Sequence, residues 1–228
     1  MNLTAIIPMW NAGQFIREAL ASIRGQTSPI AEVIVVDDGS TDNGRDIVRG
    51  IDWVTLIEKE HTGIADTLNR GLAIAHGDLL VFLDADDRWL PEKTTLQLAA
   101  LQRDPGLAMV FGHVRQFVHG SEGDRVIDVR SGVAKSVGLF RREAFTRIGP
   151  FPAGGEHDFI GWMLAARDAG LRSVVLPEIL YERRHHDANH GIQCKAEQRR
   201  SYLLTAKAVL DRRRAAAQPG GAAGGTTD

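Results

Sequence analysis

Cysteine is almost missing: the 228-residue chain carries one, Cys194. A single thiol excludes an internal disulfide and a cysteine-built zinc site, and it suits a reducing compartment. Long apolar runs are missing too, since no stretch approaches the roughly 20 residues that a membrane helix needs. The opening MNLTAIIPMW has no basic segment leading into an apolar one, so no export leader is read there and a cytoplasmic location is expected. Nor is there an excess of either charge. Lys and Arg number 27 against 29 Asp and Glu, a formal net charge of −2, which argues against a nucleic acid or a lipid surface as the main partner. Any anion the protein binds must therefore be held by a local arrangement. No internal repeat is found.

What the sequence does have is enough apolar residue, 43% against 25% charged, for one large domain with a full core. LTAIIPM and EVIVVDD are short, continuous and β-branched, as strands buried on both faces of a parallel sheet are. Between them NAGQFIREALASIRGQ places Phe15, Ile16, Ala19, Leu20 and Ile23 on one helical face, with Gly25 as its stop. The rhythm repeats through a short helix in GSTDNGRDIVRG, a strand in DWVTLIEKE, a helix ending at Gly77 and a strand in DLLVFLDA. Strands alternating with helices predict a doubly wound α/β sheet, which binds ligands beyond the carboxyl ends of its strands. After Pro91 the pattern changes to a helix in EKTTLQLAALQR, two long strands joined by a glycine turn, then a strand, two helices and a strand in LRSVVLPEIL. Residues 193–214 read as a basic closing helix and 215–228 as a disordered tail.

Two of the strand ends are acidic. Asp84 and Asp86 lie two apart in LDADD, so on extended backbone their side chains point the same way, with Asp87 beside them. Crowded carboxylates repel one another unless a cation sits among them, and magnesium or manganese is the natural occupant. The bland alternative is an acidic turn leading the chain into solvent. At the other strand end, VVDDGSTD, Asp37 and Asp38 can bond a base edge or a ribose hydroxyl, while Ser40 or Thr41 caps the following helix and Asp42 completes the cap.

Taken in order, AIIPMWNAGQFIREALASIRGQ, EVIVVDDGSTD, TGIADTLNRGLAIAHGDLLVFLDADD and GLFRREAFTRIGPF resemble the successive blocks of family 2 glycosyltransferases of the GT-A fold, over roughly residues 1 to 192. The resemblance implies a Rossmann-like mixed sheet in a single domain, 1–214. Within it, 1–100 would be a nucleotide-sugar-binding half and 101–192 an acceptor half. It also implies transfer of a sugar from a nucleotide donor, expected to be a UDP-sugar, to a hydroxyl acceptor with inversion, assisted by Mn2+ or Mg2+. Carried over residue by residue, Pro8 and Trp10 line the base, Asp37 or Asp38 binds uracil or ribose, and Asp84, Ala85 and Asp86 meet the diphosphate and its metal. Arg70 would add a second cation near the phosphates, or simply be a solvated helix-end arginine.

The family places its general base at the start of the helix after the GPF block, which makes Asp158 the first candidate and Glu156 the second. Both would also stabilise the positive end of that helix by about 0.3 to 1 kcal/mol. Relatives often carry an acid directly before the tryptophan, where this chain has Gly161. In YERRHHDANHG, expected to be a mobile loop, Arg184, His186 and Asn189 match the family's spacing. His186 would be a third metal ligand or a diphosphate contact, with His185 in reserve. Trp89 and Trp162 either stack on a sugar ring or pack in the core. The arginines 199, 200 and 212–214 offer a peripheral contact with anionic lipid or a partner, or a solvated face. Oligomeric state is open, a homodimer included. A nucleotidyltransferase is a rival reading, but PMWNAGQF lacks that class's glycine-rich basic phosphate loop. The other rival is a nucleotide-sugar-binding protein that has lost its base.

Overall fold

The computed structural model describes residues 1–120, 123–152 and 158–186, without the side chain of Asp158. Strands β1 (Leu3–Met9), β2 (Glu32–Asp38), β3 (Thr55–Lys59) and β4 (Leu79–Phe82) alternate with helices α1 (Ile16–Arg24), α2 (Gly44–Arg49) and α3 (Ile64–Ile74). Then come β5 (Arg88–Trp89), α4 (Lys93–Arg103), β6 (Leu107–Gly120), β7 (Gly123–Gly132), β8 (Leu139–Arg141), α5 (Arg142–Ile148), α6 (Asp158–Asp168) and β9 (Arg172–His185). All strands join one nine-stranded sheet in the order β3-β2-β1-β4-β8-β6-β9-β5, with β7 paired to β6.

The first four strands are parallel neighbours, and β1 and β4 are buried along their whole length. That burial is why their sequences are continuous rather than alternating in polarity. Helix α1 buries Ile16, Ala19, Leu20 and Ile23. Helix α3 lies so close to β1 that a Cβ on Gly71 would stand 2.5 Å from the Ile6 side chain. The sheet becomes mixed at β8, which runs antiparallel to both β4 and β6. Antiparallel pairing brings the chain before β8 to the edge where β4 ends, with Val81 opposite Leu139.

Helices α5 and α6 cover this second half through an aromatic cluster. Trp162 stacks on Phe145 with ring centroids 4.6 Å apart and meets Phe140 edge-on at 5.9 Å. It is 2% exposed and its indole N–H donates to the Gly149 carbonyl at 2.9 Å. Trp162 therefore packs in the core and seats the start of α6. Trp89, 3% exposed, is likewise a core residue.

Strand β9 differs from the sequence expectation. It continues past LRSVVLPEIL through Tyr181–His185, which had read as the beginning of a mobile loop. The ladder to β6 slips around Pro177, between the pairs Phe111↔Val175 and His113↔Ile179, where proline has no N–H to give. It then resumes because the outer charged residues find partners. Glu182 takes Arg88 and Arg115, and Arg184 takes Glu18. Glu156, Asn189, Cys194, the closing helix and the tail fall outside the described residues. Among the described residues no helix is long and apolar enough to cross a membrane.

Candidate functional site

Strands β1, β2 and β4 end at one edge of the sheet, so Trp10, Asp37 and Asp38, and Asp84 to Asp87 share that edge. At the β2 end the two aspartates have separate tasks. Asp38 accepts from the Thr62 and Gly63 amides at 2.9 and 3.0 Å and pairs with the Lys59 ammonium, which fixes the loop between β3 and α3. Burial alone would raise its pKa, but the Lys59 bond and the two amides outweigh that and hold it below the ordinary carboxylate value. Asp37 accepts from the Ser40 amide at 3.1 Å through Oδ2. Its Oδ1 is buried and has no hydrogen-bond partner among the described residues.

Ser40 and Thr41 do not cap α2 as expected from sequence. Ser40 Oγ accepts from the Asn11 amide at 2.9 Å, and the Thr41 amide donates to Asn11 Oδ1 at 2.8 Å. Both therefore tie the turn to the loop after β1, where Asn11 has a φ of +50°. Asp42 does serve the helix start, accepting from the Gly44 amide at 2.9 Å while also accepting from Gly13 at 2.7 Å. Pro8 is buried in β1. Trp10 is 49% exposed and stacks on His61 with centroids 4.8 Å apart, an open aromatic surface beside Asp37 and Asp38. Arg70 faces Asp66 at 3.8 Å, on the same side of the site as Lys59.

At the β4 end the three carboxylates also part ways. Asp84 has both oxygens engaged, Oδ1 by the Lys135 ammonium and Oδ2 by the Ser136 hydroxyl, each at 2.6 Å. Burial would raise its pKa, yet the Lys135 charge and these bonds bring it below the ordinary value. A cation bound directly to Asp84 would have to displace an ammonium already there. Asp87 is buried, accepts from the Arg184 amide at 2.6 Å and from the Tyr181 hydroxyl, and so anchors β9. Burial, and then the charges of Asp86 and Asp84, push its pKa well above the ordinary value. Burial and the Asp87 charge likewise raise Tyr181.

Asp86 is 27% exposed. Its Oδ2 lies 3.1 Å from His186 Nε2, and the His186 ring rests against Phe15 at 4.5 Å. Ala85 between the two acids is buried. His185 turns to Gln116, with Nε2 and Oε1 at 2.6 Å. Arg184 is 4% exposed and braces the acidic loop, donating to the Asp86 carbonyl at 3.0 Å and packing over Phe117. Among the described residues no three of His, Cys, Asp and Glu converge into a ready-made cation site. The Asp86 and His186 pair is nonetheless a suitable partial set, a hard carboxylate oxygen with an imidazole nitrogen. A Mn2+ or Mg2+ ion that brings phosphate oxygens and waters of its own needs only one or two such protein donors.

Asp158 is the first residue of α6, as the sequence pattern had it. The residues that sequence reasoning missed are Lys59, His61, Lys135, Ser136 and Tyr181. Each reaches the site through strand pairing or a distant loop, and no local motif marks it.

The sequence profile described as Glycosyl transferase family 2 matches residues 4–172, most of the chain and every element that builds this edge up to the start of β9. The chain belongs to glycosyl transferase family 2. As a family 2 chain it is 28% identical over 214 residues to an uncharacterized glycosyltransferase, YibD, of Escherichia coli, an alignment covering 82% of this chain and 62% of that protein. It is 32% identical over 136 residues to an uncharacterized glycosyltransferase, alr2836, of Nostoc, covering 58% of this chain and 41% of the relative. The chain thus spans roughly half the length of these curated relatives. Among solved structures, the mannosyltransferase PcManGT from Pyrobaculum calidifontis, in complex with GDP-Man and Mn2+, superposes with a TM-score of 0.70. That match has 24% identity and covers 91% of this chain and 64% of the other. S. aureus TarS 1-349 in complex with UDP-GlcNAc gives 0.65 at 21% identity, covering 83% and 60%. These likenesses establish a GT-A type fold, a Rossmann-like mixed sheet.

Proposed function

We propose that this family 2 chain transfers a sugar from a nucleotide-sugar donor, a UDP-sugar, to a hydroxyl acceptor with inversion and with help from Mn2+ or Mg2+. One observation carries the reading: the exposed Trp10 ring, the Asp37 Oδ1 that has no partner among the described residues, and the Asp86 and His186 pair lie along one edge of the sheet. These strand ends are neighbours, β2 beside β1 and β1 beside β4, so one nucleoside diphosphate can reach all three. Trp10 and His61 take a face of the base, Pro8 shapes the strand beneath it, and Asp37 accepts a hydrogen bond from the base or ribose. Asp38 fixes the loop that carries His61. Arg70 would be the closest cation to the phosphates from α3. The neighbours' complexes with UDP-GlcNAc and with GDP-Man and Mn2+ support a nucleotide-sugar donor.

Asp86 and His186 would hold the divalent ion, with Asp84 alongside. When bound, the ion stabilises the negative charge that gathers on the departing diphosphate. At the other end of the reacting bond, Asp158, or Glu156 if Asp158 is displaced, removes the proton of the acceptor hydroxyl. The acceptor oxygen then bonds to the anomeric carbon from the face opposite the diphosphate, the bond from that carbon to the diphosphate oxygen breaks, and the proton rests on the carboxylate. Trp162 holds the first turn of α6 against the sheet, so the base keeps its distance to the donor.

The test is a panel of UDP- and GDP-sugars with Mn2+ and hydroxyl acceptors, read by release of nucleoside diphosphate and by the anomeric configuration of the product. Release with inversion supports the reading. Tight binding without turnover on any donor would favour the rival, a nucleotide-sugar-binding protein without a base.

A further inference from the structure

The segment between β7 and β8 is held more firmly than a connecting loop requires. Three successive backbone carbonyls in it are each gripped by a buried side chain from β5 or α4. Trp89 Nε1 donates to Ser136 O at 3.2 Å, Gln97 Nε2 to Val137 O at 2.7 Å, and Lys93 Nζ reaches Gly138 O at 3.5 Å. Lys93 and Gln97 are one helical turn apart and bond to each other at 2.9 Å, and the Lys93 Nζ sits 4.4 Å over the Trp89 ring. Lys93 is fully buried, and no carboxylate pairs with it among the described residues. Burying an unpaired lysine is costly, and among the described residues the groups it serves are the strap and its anchor.

What the strap presents is Lys135 and Ser136, one on each oxygen of Asp84. The side chains of Lys135 and Asp84 remain 20% and 32% exposed. A half-open ion pair of this kind adds about 0 to 1 kcal/mol to stability, too little to explain three buried anchors. The position is informative. Asp84 follows β4, the strand between β1 on the nucleotide side and β8, over which α6 packs through Phe140 and Trp162. A sugar joined to a diphosphate at Asp86 and His186, and attacked from the Asp158 side, lies over this junction.

We propose that Lys135 and Ser136, presented by this strap together with Asp84, recognise the donor's sugar, and select a neutral sugar with two free adjacent hydroxyls. This rests on the nucleotide-sugar reading above. A hydroxyl both donates and accepts. Asp84 supplies acceptors, Lys135 a charged donor, and Ser136 a hydroxyl that turns to suit, so the set matches a vicinal diol. A sugar carboxylate placed there would meet the Asp84 charge, and a deoxy sugar would leave the ammonium or the carboxylate without its new partner. Neither buried tryptophan offers a stacking face, so polar groups must do the selecting.

The test compares Lys135→Met, Ser136→Ala and Lys135→Arg with the wild-type chain. Calorimetry with Mn2+ measures affinity for UDP and for the UDP-sugar that the wild type turns over best, and kinetics measure kcat and KM for that donor and its deoxy analogue. The expected result is UDP affinity weakened in none of the variants. Donor affinity falls about 10-fold or more in Lys135→Met, partly recovers in Lys135→Arg, and the preference over the deoxy donor shrinks. Equal losses for UDP and UDP-sugar would place Lys135 on the diphosphate and overturn the proposal, as would unchanged donor affinity and preference in Lys135→Met and Ser136→Ala. A wild-type chain that binds no nucleotide sugar at all overturns the parent reading, an outcome distinct from either.

Discussion

Replacing Lys93 by methionine tests whether a buried, unpaired amine really underlies the strap. The side chain is fully buried, and burial drives its pKa well below the ordinary lysine value. The unfolded chain has an ordinary lysine, with a pKa near ~10.4. At any pH between the folded pKa and that value, the unfolded chain holds a proton that the folded chain has released. Stability then rises with pH, by up to about 1.4 kcal/mol per pH unit for one such group, and levels off above the unfolded value. Lys93→Met removes this slope. It also strips Gln97 Oε1 of the donor it has at 2.9 Å, at a cost of about 1 to 3 kcal/mol for a buried acceptor left unpaired. The two effects oppose each other near neutral pH, so the readout is the slope and not the absolute stability. Urea unfolding of both proteins from pH 7 to 10, at constant ionic strength, gives the difference curve. The expected difference turns progressively in favour of the wild type as pH rises. Parallel curves would show that Lys93 titrates alike folded and unfolded, and the account of the strap would be wrong.

Three further outcomes follow from the geometry. Asp158→Asn leaves donor binding intact and lowers transfer by about 100-fold or more, the scale of a lost general base; near-normal transfer would move the role to Glu156. Trp162→Ala empties the space against Phe145 and Phe140 and destabilises the fold by about 3 to 5 kcal/mol in urea unfolding, whereas a loss below about 1 kcal/mol would contradict its core placement. Trp10→Ala removes the exposed ring stacked on His61 and weakens UDP by about 1 to 3 kcal/mol, the range of base stacking; unchanged affinity by calorimetry would place the base elsewhere.

Strands β1 and β2 were legible in the sequence because burial on both faces keeps their runs largely apolar: LTAIIPM and EVIVVDD are β1 and β2 residue for residue. Strand β5 was not, since Arg88 and Trp89 become a strand only by pairing with Glu182 and Tyr181. The charged end of β9 looked irregular for the same reason, its ion partners lying on other elements. At the site, the acidic strand ends were plain, but the division of labour within them was not. Asp38 is claimed by Lys59 and two amides, and Asp84 by Lys135 and Ser136, partners 51 and 52 residues away in the chain. Spacing shows which carboxylates share an edge. It does not show which of them a distant loop has already neutralised.

The claim at the centre is that Asp86 and His186 hold a cation that arrives with the nucleotide diphosphate. Calorimetric titration of UDP with and without Mn2+, on the wild type and on Asp86→Ala, tests it most directly. The account predicts at least about 10-fold tighter UDP binding with Mn2+ in the wild type, a coupling of ~1.4 kcal/mol, and none in Asp86→Ala. Equal UDP affinity with and without the metal in the wild type, or coupling that survives in Asp86→Ala, would contradict it.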